Sequence, residues 1–310
     1  MELHQLRYFT AVAELGSFTQ AAERCFVSQP SLSQQIIKLE RSLGQPLLER
    51  LGRKVRLTTA GQAFYERAVR ILRAVEEAQT CLDEATRGAH GEVVVGAILT
   101  VAPYLLPGMV RRFRRQRPQS RLLLREDYTA GVLRDVLSGD VDVGLLALPV
   151  DDPRLIVEPI LTEELWLALP AGHPLLKRKQ LSMQDVANES FVLLDEIHCL
   201  GEQIVSFCRR HACLPAVACK AAQLLTVQKM VAEGQGISLI PQMAAASGPR
   251  PLVAYRSLGE DAPHRTIAAV WHRDRYHSPV VGEFLKFLAT EAPRCLPSAD
   301  VTKSGRPRRP

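Results

Sequence analysis

One segment near the start of the chain leaves little choice of fold. Ser28 is a natural N-cap and Pro30 is tolerated in a first turn, after which Leu32, Ile36, Leu39 and Leu43 recur at spacings of four, three and four. That pattern predicts a helix with one apolar face, whose other face displays Ser31, Ser33, Gln34, Gln35 and Lys38. Two shorter amphipathic segments precede it. Leu3, Leu6, Phe9, Val12 and Ala13 share a face of a first helix that Gly16 stops. Ser17 then caps a second, with Phe18, Ala21 and Ala22 inward, before a tight Phe26-Val27-Ser28 connection. This order predicts a helix-turn-helix with the third helix as the reader.

The chemistry of the exposed face agrees. Short hydroxyls and amides approach base edges, Gln pairs bidentately with adenine, and Lys38 reaches phosphate. Ser28, Gln29 and Pro30 at the helix start complete the candidate DNA-contacting set. An ordinary solvated helix also carries Ser and Gln, so the continuation matters. Residues Glu49 to Leu57 form two strand-like runs around Gly52 and carry Arg50, Arg53, Lys54 and Arg56, a basic wing placed to grip the DNA backbone.

From Thr59, read as the cap, to about Arg87 the chain predicts one long helix. Phe64, Ala68, Ile71, Val75, Ala78, Leu82 and Ala85 alternate at four and three, the seam of a coiled coil. A dimer through Phe64, Ile71, Val75 and Leu82 is expected, and two copies would offer two reading helices to successive major grooves. The same stripe also suits a helix packed on its own domain.

Composition narrows the classes. At 310 residues the chain exceeds one typical domain. Its net charge is +6, and residues 1–73 hold eleven Lys/Arg against six Glu, so the amino-terminal module is itself basic and suits a polyanionic partner. The tail adds Lys303, Arg306, Arg308 and Arg309 without periodicity and is read as a disordered basic arm over 296–310. The chain opens Met-Glu-Leu-His-Gln straight into an amphipathic segment and holds no apolar run of the ~18 residues a membrane span needs, so a cytoplasmic protein with no membrane partner is expected. Seven cysteines, an odd number, are spread from Cys25 to Cys295 and do not read as a secreted disulfide framework.

From Glu92 onward strands and helices alternate. A strand at Glu92–Ile98, a helix from Pro103 to Arg115, a strand near Leu122, a helix near Leu133 and a strand from Val141 to Leu146 argue for parallel α/β layering. Further strands at 165–169, 191–194, 237–240 and 266–271 imply two subdomains. No Gly-x-Gly-x-x-Gly follows a strand and no phosphate loop occurs, so no nucleotide cofactor is expected.

Cys199 and Cys208 end a stretch whose local reading is a helix. Nine residues at 1.5 Å would set them roughly 13–14 Å apart on opposite faces, whereas a disulfide needs Cα atoms within about 7 Å. If they bond, the segment has to refold.

These features together resemble the LysR-type transcriptional regulators over nearly the whole chain. The resemblance rests on Leu6-Arg-Tyr-Phe, Gly16-Ser-Phe-Thr-Gln-Ala-Ala, Val27-Ser-Gln-Pro-Ser-Leu-Ser-Gln-Gln-Ile, Leu39-Glu and Leu57-Thr-Thr-Ala-Gly. Within the family the chain is most similar to the peroxide-sensing members, through Thr100-Val-Ala-Pro-Tyr-Leu-Leu-Pro, Leu194-Asp-Glu-Ile-His-Cys-Leu and the second cysteine at Cys208. It departs from them at Ile197, where that pattern usually has glycine.

The resemblance implies a winged helix-turn-helix over 1–58, a linker and dimerisation helix over 59–89, and a two-subdomain, periplasmic-binding-protein-like α/β effector domain over 90–295, with crossings near 161 and 265. It implies a non-enzymatic regulator of oxidative-stress genes that binds double-stranded promoter DNA, works with RNA polymerase, and assembles as a homodimer or homotetramer. By the same resemblance Thr100, Thr129, His198 and Arg265 line a peroxide pocket, Cys199 is the peroxidatic thiol and Cys208 resolves it. The chemistry is coherent on its own: a thiolate attacks one peroxide oxygen, and the other needs donors as it leaves.

Taken alone, the residues leave Cys213 and Cys219 open as resolvers. His198, Cys199, Cys208, His211 and Cys213 hold enough ligand atoms for a metal, but without paired C-x-x-C spacing none is expected. A regulator that binds a small organic effector, with incidental cysteines, is the rival reading. A thiol peroxidase is another, though it would leave the DNA-binding module without purpose.

Overall fold

The computed structural model describes residues 1–51, 54–87, 91–211, 216–249 and 251–296, and divides into two compact units, Met1–Gly88 and Ala89–Pro310.

In the first unit, α1 (Leu3–Leu15) ends at Gly16, whose φ of 60° closes the helix in the left-handed region. The Ser17 hydroxyl caps α2 (Phe18–Arg24) by accepting from the Gln20 N–H, and the Ser28 hydroxyl does the same for Ser31 at the start of α3 (Gln29–Leu43). Leu32, Ile36 and Leu39 are fully buried. Leu3 and Leu43, expected inward, are 45% and 36% exposed, because each stands at a helix end with no facing element to cover it. The wing is an antiparallel hairpin of β1 (Leu48–Leu51) and β2 (Lys54–Leu57). Glu40 ties it to α3, its Oε1 accepting the backbone N–H groups of Leu47 and Leu48 at 2.8 and 3.1 Å.

The long helix α4 spans Thr59–Arg87. Its cap is Thr58 rather than Thr59: the Thr58 hydroxyl accepts from Gly61 N–H at 2.9 Å and donates to Pro46 O at 2.8 Å. The expected dimer stripe also divides. Ala68 is fully buried and Phe64 half-buried in the unit's own core, the Phe64 ring 5.4 Å from that of Phe9. Those two positions pack within the unit, Phe64 against Phe9 of α1. Ile71 is 38% exposed and Val75 half-buried, so the stripe open to a second copy begins there; the side chains of Leu82 and its neighbours lie outside the described residues. Ile71→Asp is expected to dissociate a dimer, since a carboxylate at an apolar seam would be desolvated against its symmetry mate. An unchanged mass in sedimentation would place the dimer contact elsewhere.

The second unit carries β3 (Glu92–Ile98), α5 (Ala102–Gln116), β4 (Arg121–Asp127), α6 (Thr129–Ser138), β5 (Val143–Ala147), β6 (Leu155–Pro170), β7 (Ser190–Leu194), α7 (Cys199–Arg210), β8 (Ala216–Ala221), α8 (Leu224–Ala232), β9 (Ser238–Pro241), α9 (Gln242–Ala245), β10 (Val253–Arg256), β11 (His264–His272) and α10 (Pro279–Glu291). The sheet order is β10-β6-β11-β5-β3-β4, with β9 also on β6, while β7 pairs with β8. The layering is mixed rather than wholly parallel: β3 runs parallel to β4 and β5, but β6 pairs antiparallel with β9, β10 and β11.

Two hydrophobic cores result, and β6 serves both. Leu155, Ile160 and Leu161 belong to the first, Leu165 to Leu169 to the second. The chain returns between Ala262 in the second core and Ile267 in the first. The cores thus change over between Leu161 and Leu165 on the way out and between Ala262 and Ile267 on the return. Among the described residues, no helix is long and apolar enough to cross a membrane.

Candidate functional site

The loop after β7 delivers Asp195 to His198 onto the start of α7. Gly201 makes this possible: a Cβ there would lie 2.6 Å from Leu194 O and 2.7 Å from Asp195 O, so the first turn of α7 seats directly on the strand end. Cys199, first residue of the helix, is half-buried, packs on the first core and lines a cavity of about 1060 Å³. Thr129, Gln203 and Arg265 share that wall. Cys208 is fully buried in the second core, beside Leu200, Ile204 and Phe207 on the apolar face of α7. One helix therefore holds the two cysteines toward different cores, a helical rise of roughly 13–14 Å apart.

Thr129 begins α6, and its hydroxyl oxygen is buried with no hydrogen-bond partner. Gln203 donates through Nε2 to Leu148 O at 2.8 Å, which leaves its Oε1 buried and without a partner. Arg265 is engaged. Its Nε lies 2.8 Å and its Nη2 2.7 Å from Glu163 Oε1, while Nη1 donates to Thr100 Oγ1 and Nη2 to Thr100 O, both at 3.0 Å. Glu163 Oε2 accepts the Met243 N–H at 2.9 Å. Both side chains of the ion pair are wholly shielded from solvent. Glu163 was not among the sequence candidates. Its signal is the strand register, which sets it opposite Arg265 across β6 and β11.

His198 differs from expectation. It is 5% exposed, donates from Nε2 to Ala222 O at 2.8 Å, and sits 4.9 Å, centroid to centroid, from the Tyr128 ring, but is not on the cavity wall. A carbonyl only accepts, so the Nε2 proton is fixed and a neutral ring keeps its lone pair on Nδ1. Its place behind the N-terminus of α7 explains this: it props the loop. Thr100, 2% exposed, reaches the site through Arg265. Ile197 is 59% exposed at the cavity mouth, its N–H held by Asp195 Oδ1 at 3.2 Å. Cys219 lies half-buried on β8, and Cys213 falls outside the described residues. Among the described residues, no group of three or more potential metal ligands is found.

On the first unit Ser28, Gln29, Pro30, Ser31, Gln34 and Lys38 are exposed along α3. Ser33 is half-buried, and so is Gln35, which accepts from Gln5 Nε2 of α1 at 3.1 Å. Gln35 sits at the edge of the apolar face and is spent on helix packing. Arg50 and Lys54 fall on β1 and β2, with side chains outside the described residues, as is Arg53 altogether. Arg56 is exposed on β2.

A winged helix-turn-helix joined to a two-core α/β unit with a cavity between the cores defines a DNA-binding regulator with an attached sensing domain. Residues 3–62 match the model described as bacterial regulatory helix-turn-helix protein, lysR family, and residues 86–293 match LysR substrate binding domain. The chain belongs to the LysR family of bacterial transcriptional regulators. It is 36% identical over 285 residues to the hydrogen peroxide-inducible genes activator of Dickeya chrysanthemi, covering 92% of both chains. Full-length OxyR C199D from Pseudomonas aeruginosa superposes with a TM-score of 0.76 at 28% identity, over 96% of this chain and 98% of that one. A cysteine-to-serine mutant of OxyR from Corynebacterium glutamicum, described as H2O2-bound, has a TM-score of 0.61 at 32% identity, over 95% and 92%.

Proposed function

We propose that this regulator senses hydrogen peroxide through reversible Cys199–Cys208 disulfide formation and thereby changes its hold on promoter DNA. The reading rests on one observation above all: Cys199 lines a cavity with Thr129 and Arg265, while Cys208, on the same helix, is buried in the other core. In the first step the Cys199 thiolate attacks one peroxide oxygen, the O–O bond breaks, and the departing hydroxide takes a proton, leaving a sulfenic acid. The Cys208 thiolate then attacks that sulfur, the S–S bond forms as the S–O bond breaks, and the departing hydroxide takes a proton to leave as water.

Thr129 donates to the bound peroxide, its buried hydroxyl having no other partner, and Arg265 supplies positive charge for the departing oxygen. Thr100 acts from behind Arg265, and His198 holds the loop. The protein acts in the cytoplasm as a homodimer or homotetramer on double-stranded DNA and works with RNA polymerase. Mass spectrometry of cysteine pairing before and after stoichiometric peroxide tests the reading: a Cys199–Cys208 bond supports it, and unmodified Cys199 refutes it.

The size of the cavity favours a second reading, in which a small organic effector occupies it and the cysteines are incidental. Unaltered DNA regulation in a Cys199→Ser variant would favour that one.

The exposed side of α3 implies separable DNA contacts. Gln34→Ala is expected to lose about 1–3 kcal/mol of discrimination between the specific and a scrambled site, while Arg53→Ala weakens both equally and lowers the salt slope by about one. Titrations on the two DNAs at several salt concentrations separate these, and equal losses for both variants would refute the assignment.

A further inference from the structure

Among the described residues Glu163 is the one buried carboxylate, and the reaction written above makes no use of it. We propose that Glu163 is a positioning residue for the peroxide site: it fixes the plane of Arg265, so that the guanidinium on the cavity wall meets the departing peroxide oxygen. The inference rests on the peroxide reading and deepens it.

Arginine has only donors. When Arg265 Nη1 gives a proton to Thr100 Oγ1 at 3.0 Å, the hydroxyl is held as acceptor on that side and its own proton has to point elsewhere. A second bond, from Nη2 to Thr100 O, ties the guanidinium to the backbone just past β3.

The guanidinium has a second anchor. Glu163 Oε1 takes both its Nε and Nη2 edges, and Oε2 is held by the Met243 N–H at the start of α9. Met243 and Arg265 both donate to Glu163, and Arg265 donates on its other side to Thr100, so the guanidinium is clamped between carboxylate and threonine. The clamped guanidinium lines the cavity with Cys199 and stabilises the oxygen that leaves as the Cys199 sulfur takes the other.

Without the Glu163 charge, Arg265 loses its counter-ion, and only its two bonds to Thr100 remain to hold its plane. The thiol itself is untouched, because the polar contacts of Glu163 go to Arg265 and Met243 and not to Cys199. Peroxide reactivity and general thiol reactivity should therefore part company, which a merely structural role would not produce.

The test uses full-length reduced protein and two probes, hydrogen peroxide and iodoacetamide, with the modified cysteine assigned by mass spectrometry. In Glu163→Gln the rate of Cys199 oxidation by peroxide is expected to fall roughly ten- to a hundredfold, as for a misplaced catalytic contact, while alkylation of Cys199 by iodoacetamide stays within about twofold of the parent. An unchanged peroxide rate, or both rates falling together, would overturn the proposal. Should Glu163→Gln not fold, Glu163→Asp keeps the charge and withdraws the carboxylate by one methylene. It should show the same selective loss to a smaller degree, and equal rates with the parent would overturn the proposal as well. The parent separates the two levels: a Cys199 no faster with peroxide than free cysteine refutes peroxide sensing itself, whereas a fast parent with equally fast variants refutes only the role of Glu163.

Discussion

Arg265→Met should lower the melting temperature of the regulatory unit by roughly 6–20 °C. The substitution leaves the Glu163 carboxylate, 1% exposed, without its counter-charge. Breaking one side of a buried ion pair typically costs about 3–5 kcal/mol, and for a unit of this size each kcal/mol moves the midpoint by about 2–4 °C. The loss exceeds that of the surface pairs among the described residues. Arg154–Asp152 and Arg178–Asp185 have their arginines well exposed, and solvent screens such pairs. A second substitution separates charge from packing. Glu163→Leu with Arg265→Met removes both charges together and should recover most of the midpoint, since an apolar pair of similar volume is often neutral or stabilising. Calorimetry of the three variants decides it, and a single variant melting with the parent would mean the pair is solvated in solution.

Oxidation should strip hydrogen-exchange protection from the interior of α7 by about a hundredfold or more, because amides that lose their helical partners exchange at rates set by local opening. The geometry requires it: cysteines roughly 13–14 Å apart along a helix cannot meet the limit of about 7 Å between Cα atoms while the helix persists. Leu200, Ile204, Phe207 and Cys208 leave or rearrange their core together, since all four lie on the face of α7 that the second core covers. Burial of such side chains contributes about 1.5–3 kcal/mol each, so the oxidised form gives up a substantial part of the local packing. Cys208→Ser supplies the control. Its Cys199 should still be consumed by peroxide while α7 keeps its protection. A parent that forms the bond with α7 still protected would disprove the coupling of chemistry to shape.

Much of the first unit was legible because its signals are local. Ser17, Ser28 and Gly16 act within a few residues of themselves, and each stands where the spacing set it. Thr58 and Thr59 are equally good caps by type, and the choice fell to Thr58 because Pro46, twelve residues back, takes its proton. The spacing on α4 shows an apolar stripe, but periodicity does not say whether the facing surface is α1 or another chain. Ala68 and Phe64 went to the unit's own core.

The first half of β6 was missed for a related reason. Glu158, Pro159, Glu163 and Glu164 interrupt its apolar pattern, and its strand character comes from pairing with β11. The same pairing hid Glu163, whose partner is 102 residues away in the chain. The family resemblance supplies Cys199, Thr129 and Arg265, and they meet at one wall. The resemblance did not reveal that His198 faces Ala222 instead.

The two passages between the lobes of the regulatory unit are neighbours in one ladder, with Glu163 of β6 directly across from Arg265 of β11. A two-stranded ribbon of this kind is stiff against bending in its own plane and yields to twist, the deformation strands adopt most readily. The lobes are thus mounted like two handles on a torsion bar, free to counter-rotate but held against gaping apart. Work done when α7 gives way would be delivered to the rest of the molecule as torque.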